Sequence, residues 1–515
     1  MRKNKIALLL TVVITALCMS ACTIDPKDKV SILALEGQEY LETFKDQYEK
    51  EYGGRVDIEY VDSIDSIGEK YSEYDIVSVR SPYDLHLLSN IYSLEYQSTI
   101  PTAQTPIVLA QFKGREKVGK GGQFEWTEIL NGEMKWTHPK ASELEGLSTL
   151  LSMIYSFSDE GSYSGLQLSD LQDPEMIDKV KKVEEKIAVY GSTSDILTKI
   201  SSKDSIGVDA FVTTEKIVLD YPELVPTYPN ATMFEDHQLV IIGDVSLEQI
   251  NNIRDITERT EFQDGVLGDG YRTIHSYRML SEENSTVRDD ITITEIQLPS
   301  HAILDYLEQN GGMFKKNVDM TLVVDLSGSM GGSSADSKMS KVKVALDEFV
   351  QMPFSENDTV EIVVFGDGLG EADSITTHLD RIEISNDKVI PSIQSLGTIG
   401  SGTALYDGVA YGISEMNETL KASGDRNRVI IALTDGEENS SSLSSSVVSS
   451  YLDGGKVEKY SLRENKLDIV FVGIAFGSGA STDELELLIS DDYSFVIEAD
   501  EKSIREIYKE ISQHF

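Results

Sequence analysis

The segment Asp325, Leu326, Ser327, Gly328, Ser329 sets a carboxylate and two hydroxyls at alternate positions at the end of an apolar run, Met320 to Leu326. Loops at the carboxyl ends of buried strands are where open α/β sheets collect their ligands. Taken alone, the five residues read equally well as a plain turn, because Asp and Ser are ordinary turn residues. Two further segments carry the same chemistry: Ser401, Gly402, Thr403, Ala404, Leu405, Tyr406, Asp407, and Leu433, Thr434, Asp435, Gly436. Carboxylates and hydroxyls are hard oxygen donors that suit Mg2+ or Mn2+. With no His or Cys among them, zinc is not expected.

These segments need elements to position them. Apolar runs at Met320 to Leu326, Val360 to Phe365, Val429 to Leu433, Ile469 to Ala475 and Phe495 to Ile497 predict strands. Their near-continuous Val and Ile content predicts cover by helices on both faces. Val342, Ala345, Leu346, Phe349 and Val350 recur at helical spacing and mark one buried stripe. A closing helix is expected near Lys502 to Ser512. The Ser-rich stretch Ser440 to Ser450 reads as a loop feeding a helix start. Asp367 and Asp407 read as solvated or supporting acids rather than as a second cation site.

In this order, D-x-S-x-S, G-T-x-L-x-D and T-D-G resemble the metal-ion-dependent adhesion site of von Willebrand factor type A domains. The resemblance implies a doubly wound, Rossmann-like α/β domain over residues 319–515 that binds one divalent cation, Mg2+ or Mn2+. It also implies that Ser327, Ser329 and Thr403 supply direct or switching oxygen ligands, while Asp325 and Asp435 act directly or through water. With mostly neutral hydroxyls around it, such an ion keeps residual electrophilicity, and an open position takes an Asp or Glu carboxylate from a protein partner. The sequence departs from the usual pattern after Met330, where Gly331 to Asp336 lengthens the loop before the first helix. We read this as a tolerated surface insertion, since added loop length costs little free energy.

The chain has 515 residues, 40% of them hydrophobic and 26% charged, enough for two or three separate cores. Arg2, Lys3 and Lys5 precede an apolar run, Ile6 to Leu17, too short to span a bilayer stably, so residues 1–22 read as a secretory signal. It ends on Met19, Ser20, Ala21, Cys22, which resembles a bacterial lipoprotein cleavage box. The expectation is lipidation at Cys22, a tether over 23–29, and an exported protein held at the cell membrane and facing outside the cytoplasm. No cysteine follows Cys22, so disulfides play no part in the exported domains. A formal charge of −43 makes nucleic acid an unexpected partner.

Between residues 30 and 300, short apolar runs alternate with helical stretches, the pattern of a parallel α/β domain. Asp75 to Pro82, Thr105 to Phe112, Trp136 to Pro139, Gly146 to Tyr155 and Thr227 to His237 together resemble type 2 bacterial solute-binding proteins, specifically the kind fused to type A domains. That resemblance implies two α/β lobes with a small-molecule ligand in the cleft between them. Its candidate cleft groups are Gln38, an amide where a Ser would be expected, and the hydroxyls of Ser81, Thr105, Thr137 and Thr232, each of these four equally explained as a cap or turn residue. Glu36 and Glu39, beside Gln38, would repel an oxyanion. Residues 301–318 read as a linker, His237 as a packed residue, and Trp126 and Trp136 as core aromatics. No nucleophile elbow, zinc-protease helix or phosphate loop is present in the sequence, so the expectation is a binding protein and no enzyme. Two functions follow: cation-dependent recognition of a partner carboxylate, or solute delivery to a transporter with the type A domain serving only to dock.

Overall fold

A computed structural model describes residues 29–139, 143–158, 166–187, 197–198, 208–275, 278–331, 337–351, 354, 357–371, 374–419, 426–477, 480, 482–489 and 494–499. The expected signal with Cys22, the tether before Lys29, most of the Gly331 to Asp336 insertion and the expected closing helix lie outside these residues. The chain divides into two compact units. One comprises the described residues up to Phe124 with Val212–Leu298, the other Glu125–Phe211 with the residues from Pro299 onward. No helix among the described residues is long and apolar enough to cross a membrane.

In the first unit the strand Lys29–Leu35 pairs in parallel with Arg55–Val61 on one side and Ile76–Val79 on the other. Phe234–Ile241 then runs antiparallel to both Ile76–Val79 and the long strand Ser98–Phe112. The sheet is therefore mixed, where the alternation of short strands and helices pointed to a parallel one. An apolar run records that a strand is buried but not which way its neighbour runs, and these two strands meet across more than a hundred intervening residues. His237 is buried and takes part in the packed core, its Nδ1 2.8 Å from the Tyr40 hydroxyl.

The second unit has a smaller and a larger part. In the smaller one Trp136–Thr137 pairs in parallel with Ala210–Phe211. Trp126 and Trp136 are both buried with ring centroids 5.3 Å apart, core aromatics as expected. Lys181, on the helix Pro174–Glu184, donates from Nζ to Asn317 Oδ1 at 3.0 Å, beside the start of the larger sheet.

That larger sheet has six strands in the order Ile375–Glu383, Thr359–Phe365, Val318–Asp325, Asn427–Thr434, Val470–Phe476, Phe495–Ala499. All neighbours are parallel except the first pair. Counted along the chain, the order is 3-2-1-4-5-6, the doubly wound arrangement, and it reverses between Val318–Asp325 and Asn427–Thr434. All eight residues of Val318–Asp325 are buried, the polar Asp319, Thr321 and Asp325 among them, which explains why the run is mostly apolar. Leu322 and Val324 face a core shared with Val342, Leu346 and Phe349 of the helix Lys338–Phe349. Val323 faces the opposite core, with Leu405, Val409 and Ile413 of the helix Leu405–Thr419. The helical stripe read from the sequence is buried in full. The edge strand Ile375–Glu383, by contrast, has no apolar run because most of its residues keep contact with solvent.

Candidate metal centre

The point where the strand order reverses is where the two central strands send their following loops to opposite faces, opening a crevice at their carboxyl ends. Asp325 ends one of these strands and Asp435 follows the other directly. Asp325 is fully buried. Its Oδ1 accepts from the Ser327 backbone N–H at 2.7 Å and its Oδ2 from the Thr434 hydroxyl at 2.6 Å. Burial pushes its carboxyl above the ordinary Asp range, and nearby Asp435 pushes the same way, while the bonds from Thr434 and Ser327 oppose them. This carboxylate thus ties the first loop to the third.

The hydroxyls converge on the same spot. Ser327 Oγ lies 2.9 Å from Ser329 Oγ, and Ser329 Oγ donates to Asp435 Oδ1 at 2.7 Å. A Cβ placed on Gly436 would sit 3.3 Å from Thr403 Oγ1 and 3.6 Å from Ser329 Oγ. Thr403 and Ser329 thus face one small space that the missing side chain of Gly436 leaves open. Asp325, Ser327, Thr403 and Asp435 are buried and Ser329 is exposed, so the cluster opens to solvent on one side. Among the described residues, no group of three or more His, Cys, Asp or Glu side chains is placed to share a metal ion. The donor set brought together here is three hydroxyls and two carboxylates. Its chemistry fits a small hard cation that tolerates neutral oxygen ligands and retains water, as Mg2+ does.

The surrounding acids hold the loops in place. Asp407 is fully buried, with Oδ2 accepting from the N–H groups of Leu369 and Ser442 and Oδ1 from that of Leu443. Asp367 accepts from the Gly402 N–H at 2.7 Å. Each carboxylate fixes the loop carrying Thr403 or the loop after Asp435, which is the supporting role expected of them. Three bracing residues were not singled out from the sequence. Glu438 accepts from the N–H groups of Tyr406, Ser440 and Ser441, Asn439 Oδ1 accepts from the Thr403 N–H at 3.0 Å, and Lys338 Nζ lies 2.7 Å from Asp435 Oδ2. The Ser-rich stretch feeds the helix Ser445–Leu452 as expected.

Backbone contact sets the height of the Thr403 loop. A Cβ on Gly366 would overlap the carbonyl of Ile399, and the Gly366 carbonyl accepts from the Ala404 N–H at 2.8 Å. Gly366→Ala is expected to cost about 1–3 kcal/mol, the usual penalty of overpacking. Urea unfolding of the purified protein measures it.

The expected cleft groups lie elsewhere. Gln38 is buried, with Nε2 donating to the Ser78 carbonyl at 3.3 Å and Oε1 accepting from the Ser78 hydroxyl at 2.6 Å. Ser81 caps the helix Pro82–Tyr92 by accepting from the Asp84 N–H. Thr105 Oγ1 accepts from the Lys216 N–H, and Thr232 Oγ1 donates to the Ile107 carbonyl. All four sit in the first unit with structural hydrogen bonds. Thr137 is buried in the second unit, on the strand Trp136–Thr137.

Residues 319–510 match the family model of the von Willebrand factor type A domain, so the C-terminal part is a domain of that kind with the Rossmann-like strand order described above. No curated protein matches the chain in sequence. Solved structures similar to the N-terminal half include a ferric binding protein from Campylobacter jejuni, 14% identical with a TM-score of 0.40 over 55% of this chain and 98% of its own. A putative extracellular solute-binding protein from Bordetella parapertussis is 12% identical with a TM-score of 0.41, over 54% of this chain and 95% of its own. An ABC transporter structure from Clostridium perfringens is 11% identical, also with a TM-score of 0.41, over 54% and 95%.

Proposed function

We propose that this protein recognises a partner through a divalent cation, Mg2+ or Mn2+, held by Ser327, Ser329 and Thr403 with Asp325 and Asp435. The cation would complete its coordination with an Asp or Glu carboxylate supplied by a protein partner. The observation that carries the reading is the convergence of three hydroxyls and two acids at the strand-order reversal, with Ser329 open to solvent. Two carboxylates balance a dication, and the hydroxyls add donors without adding charge. An incoming carboxylate then meets a centre that still attracts it, which is recognition without catalysis.

In this reading the type A domain runs over 319–515, joined by a linker at 301–318 to a solute-binding-like domain at 30–300. Cys22 carries the lipid that holds the exported chain at the membrane, facing outside the cytoplasm. The test is capture of partners from detergent-solubilised cell envelopes in Mg2+, in Mg2+ plus EDTA, and with an Asp325→Ala bait. We expect a partner retained only in the first condition. A partner retained equally in all three would show that recognition does not pass through the cation.

A further inference from the structure

Lys338 is the one cationic side chain hydrogen-bonded to the proposed cation ligands among the described residues. It opens the helix Lys338–Phe349, just after the Ser337 cap, and its Nζ lies 2.7 Å from Asp435 Oδ2. The Asp435 side chain is completely buried, whereas that of Lys338 is 34% exposed. The stem is seated against backbone: a Cβ on Gly477 would stand 3.2 Å from Lys338 Cε, and Gly477 itself has φ +98°, where glycine is favoured. Asp435 is thus shared, one oxygen taken by the Ser329 hydroxyl and the other by the ammonium.

We infer that Lys338 is a built-in competitor of the cation for Asp435, setting the affinity of the proposed site low enough that loading responds to cation concentration. The inference rests on the cation-dependent reading above. A fixed positive charge on the far oxygen of Asp435 neutralises that buried carboxylate when no dication is present, and repels a dication that comes to share it. Whether the pair opens on loading or persists, the ammonium opposes the ion, because like charges that share one buried carboxylate repel across a few ångströms, solvent on the open side weakening the repulsion without removing it. The same charge stabilises the metal-free protein, since Asp435 would otherwise be a buried acid without a counter-charge.

The test is calorimetric titration of Mg2+ and Mn2+ into the intact protein, wild type, Lys338→Met and Lys338→Arg, alongside thermal unfolding in EDTA. Met keeps the stem against Gly477 and removes the charge. We expect Lys338→Met to bind either cation roughly tenfold or more tightly than wild type and to unfold at a lower temperature in EDTA. Lys338→Arg, which keeps the charge, should stay near wild type in both. Unchanged or weaker binding by Lys338→Met, with wild type still taking up one cation, overturns the inference and leaves the site standing. Equal gains for Met and Arg would also overturn it, since shape rather than charge would then be at work. No saturable uptake by any of the three removes the site and the inference together.

Discussion

Replacing Asp435 with Ala should weaken Mg2+ and Mn2+ binding on the order of 100-fold or more, with only a small loss of stability. The magnitude follows from position: losing even a group that merely orients a metal ligand costs roughly 10–100-fold in affinity, and Asp435 supplies one of only two carboxylates at the site. The small structural cost follows from its partners. Ser329 is exposed and Lys338 is partly so, hence both groups can turn to water when the acid is gone. Asp325→Ala should differ in a defined way. It removes the same binding, but it also strands the Ser327 N–H, which Asp325 accepts from inside the domain, and leaves the Thr434 hydroxyl only its longer bond to the Gly436 carbonyl at 3.3 Å. A buried donor left without its partner costs about 1–3 kcal/mol, so this variant should unfold measurably earlier. Calorimetric titration together with urea unfolding separates the two variants. Equal destabilisation of both would mean that Asp435 is as structural as Asp325.

The largest stability loss is expected at the opposite end of the same sheet. Arg381, on the edge strand, has a side chain only 6% exposed, its guanidinium 3.2 Å from Glu361 Oε2, 2.8 Å from the Thr321 hydroxyl and 4.0 Å from Asp319 Oδ1. Glu361 and Asp319 are both buried, and Arg426 also reaches Asp319 at 3.0 Å. Arg381→Ala leaves Glu361 without its ion-pair partner and should destabilise the domain by about 3–5 kcal/mol, the usual cost of breaking a buried pair from one side. The deficit should depend on pH. Burial already holds the Glu361 carboxyl above its ordinary range, with Arg381 the main influence lowering it. Without Arg381 it rises further, so the folded state binds a proton that the unfolded chain has released. That contribution is present at low pH and is lost as pH rises through the folded-state value. Arg381→Ala should therefore lie closer to wild type in urea midpoint near pH 5 than near pH 8, and a gap that widens on acidification would contradict the assignment.

How much of this was legible in the sequence depends on how local each signal is. Asp325, Ser327 and Ser329 lie within one loop, and their alternation after a buried strand is visible directly. That they meet Thr403 and Asp435 is a matter of strand order, which the composition of the strands does not encode. The helix bearing Val342 and Phe349 was readable because burial imposes helical spacing. The edge strand Ile375–Glu383 was not, because its residues alternate with solvent and carry Thr, His, Asp and Arg. Arg381 there looks like any surface arginine until its neighbours across the sheet are known. Lys338 left no trace for the same reason: a lysine in the first turn of a helix is ordinary, and only the fold brings it to Asp435. In the first unit, Gln38 is a candidate cleft group only through the resemblance to solute-binding proteins, where it stands in the place of an expected Ser. Its amide is bonded to Ser78 on a neighbouring strand, a pairing across forty residues that spacing does not reveal.

The central claim is that hydroxyls and two acids at the reversal of the strand order hold one hard cation. Equilibrium titration of Mn2+ into the purified intact protein, followed by its electron paramagnetic signal, addresses it directly. We predict saturable uptake of one ion per chain by wild type, displaced by excess Mg2+ and missing from Asp325→Ala. Uptake of the same stoichiometry and affinity by wild type and Asp325→Ala would place the ion elsewhere on this acidic surface and contradict the account.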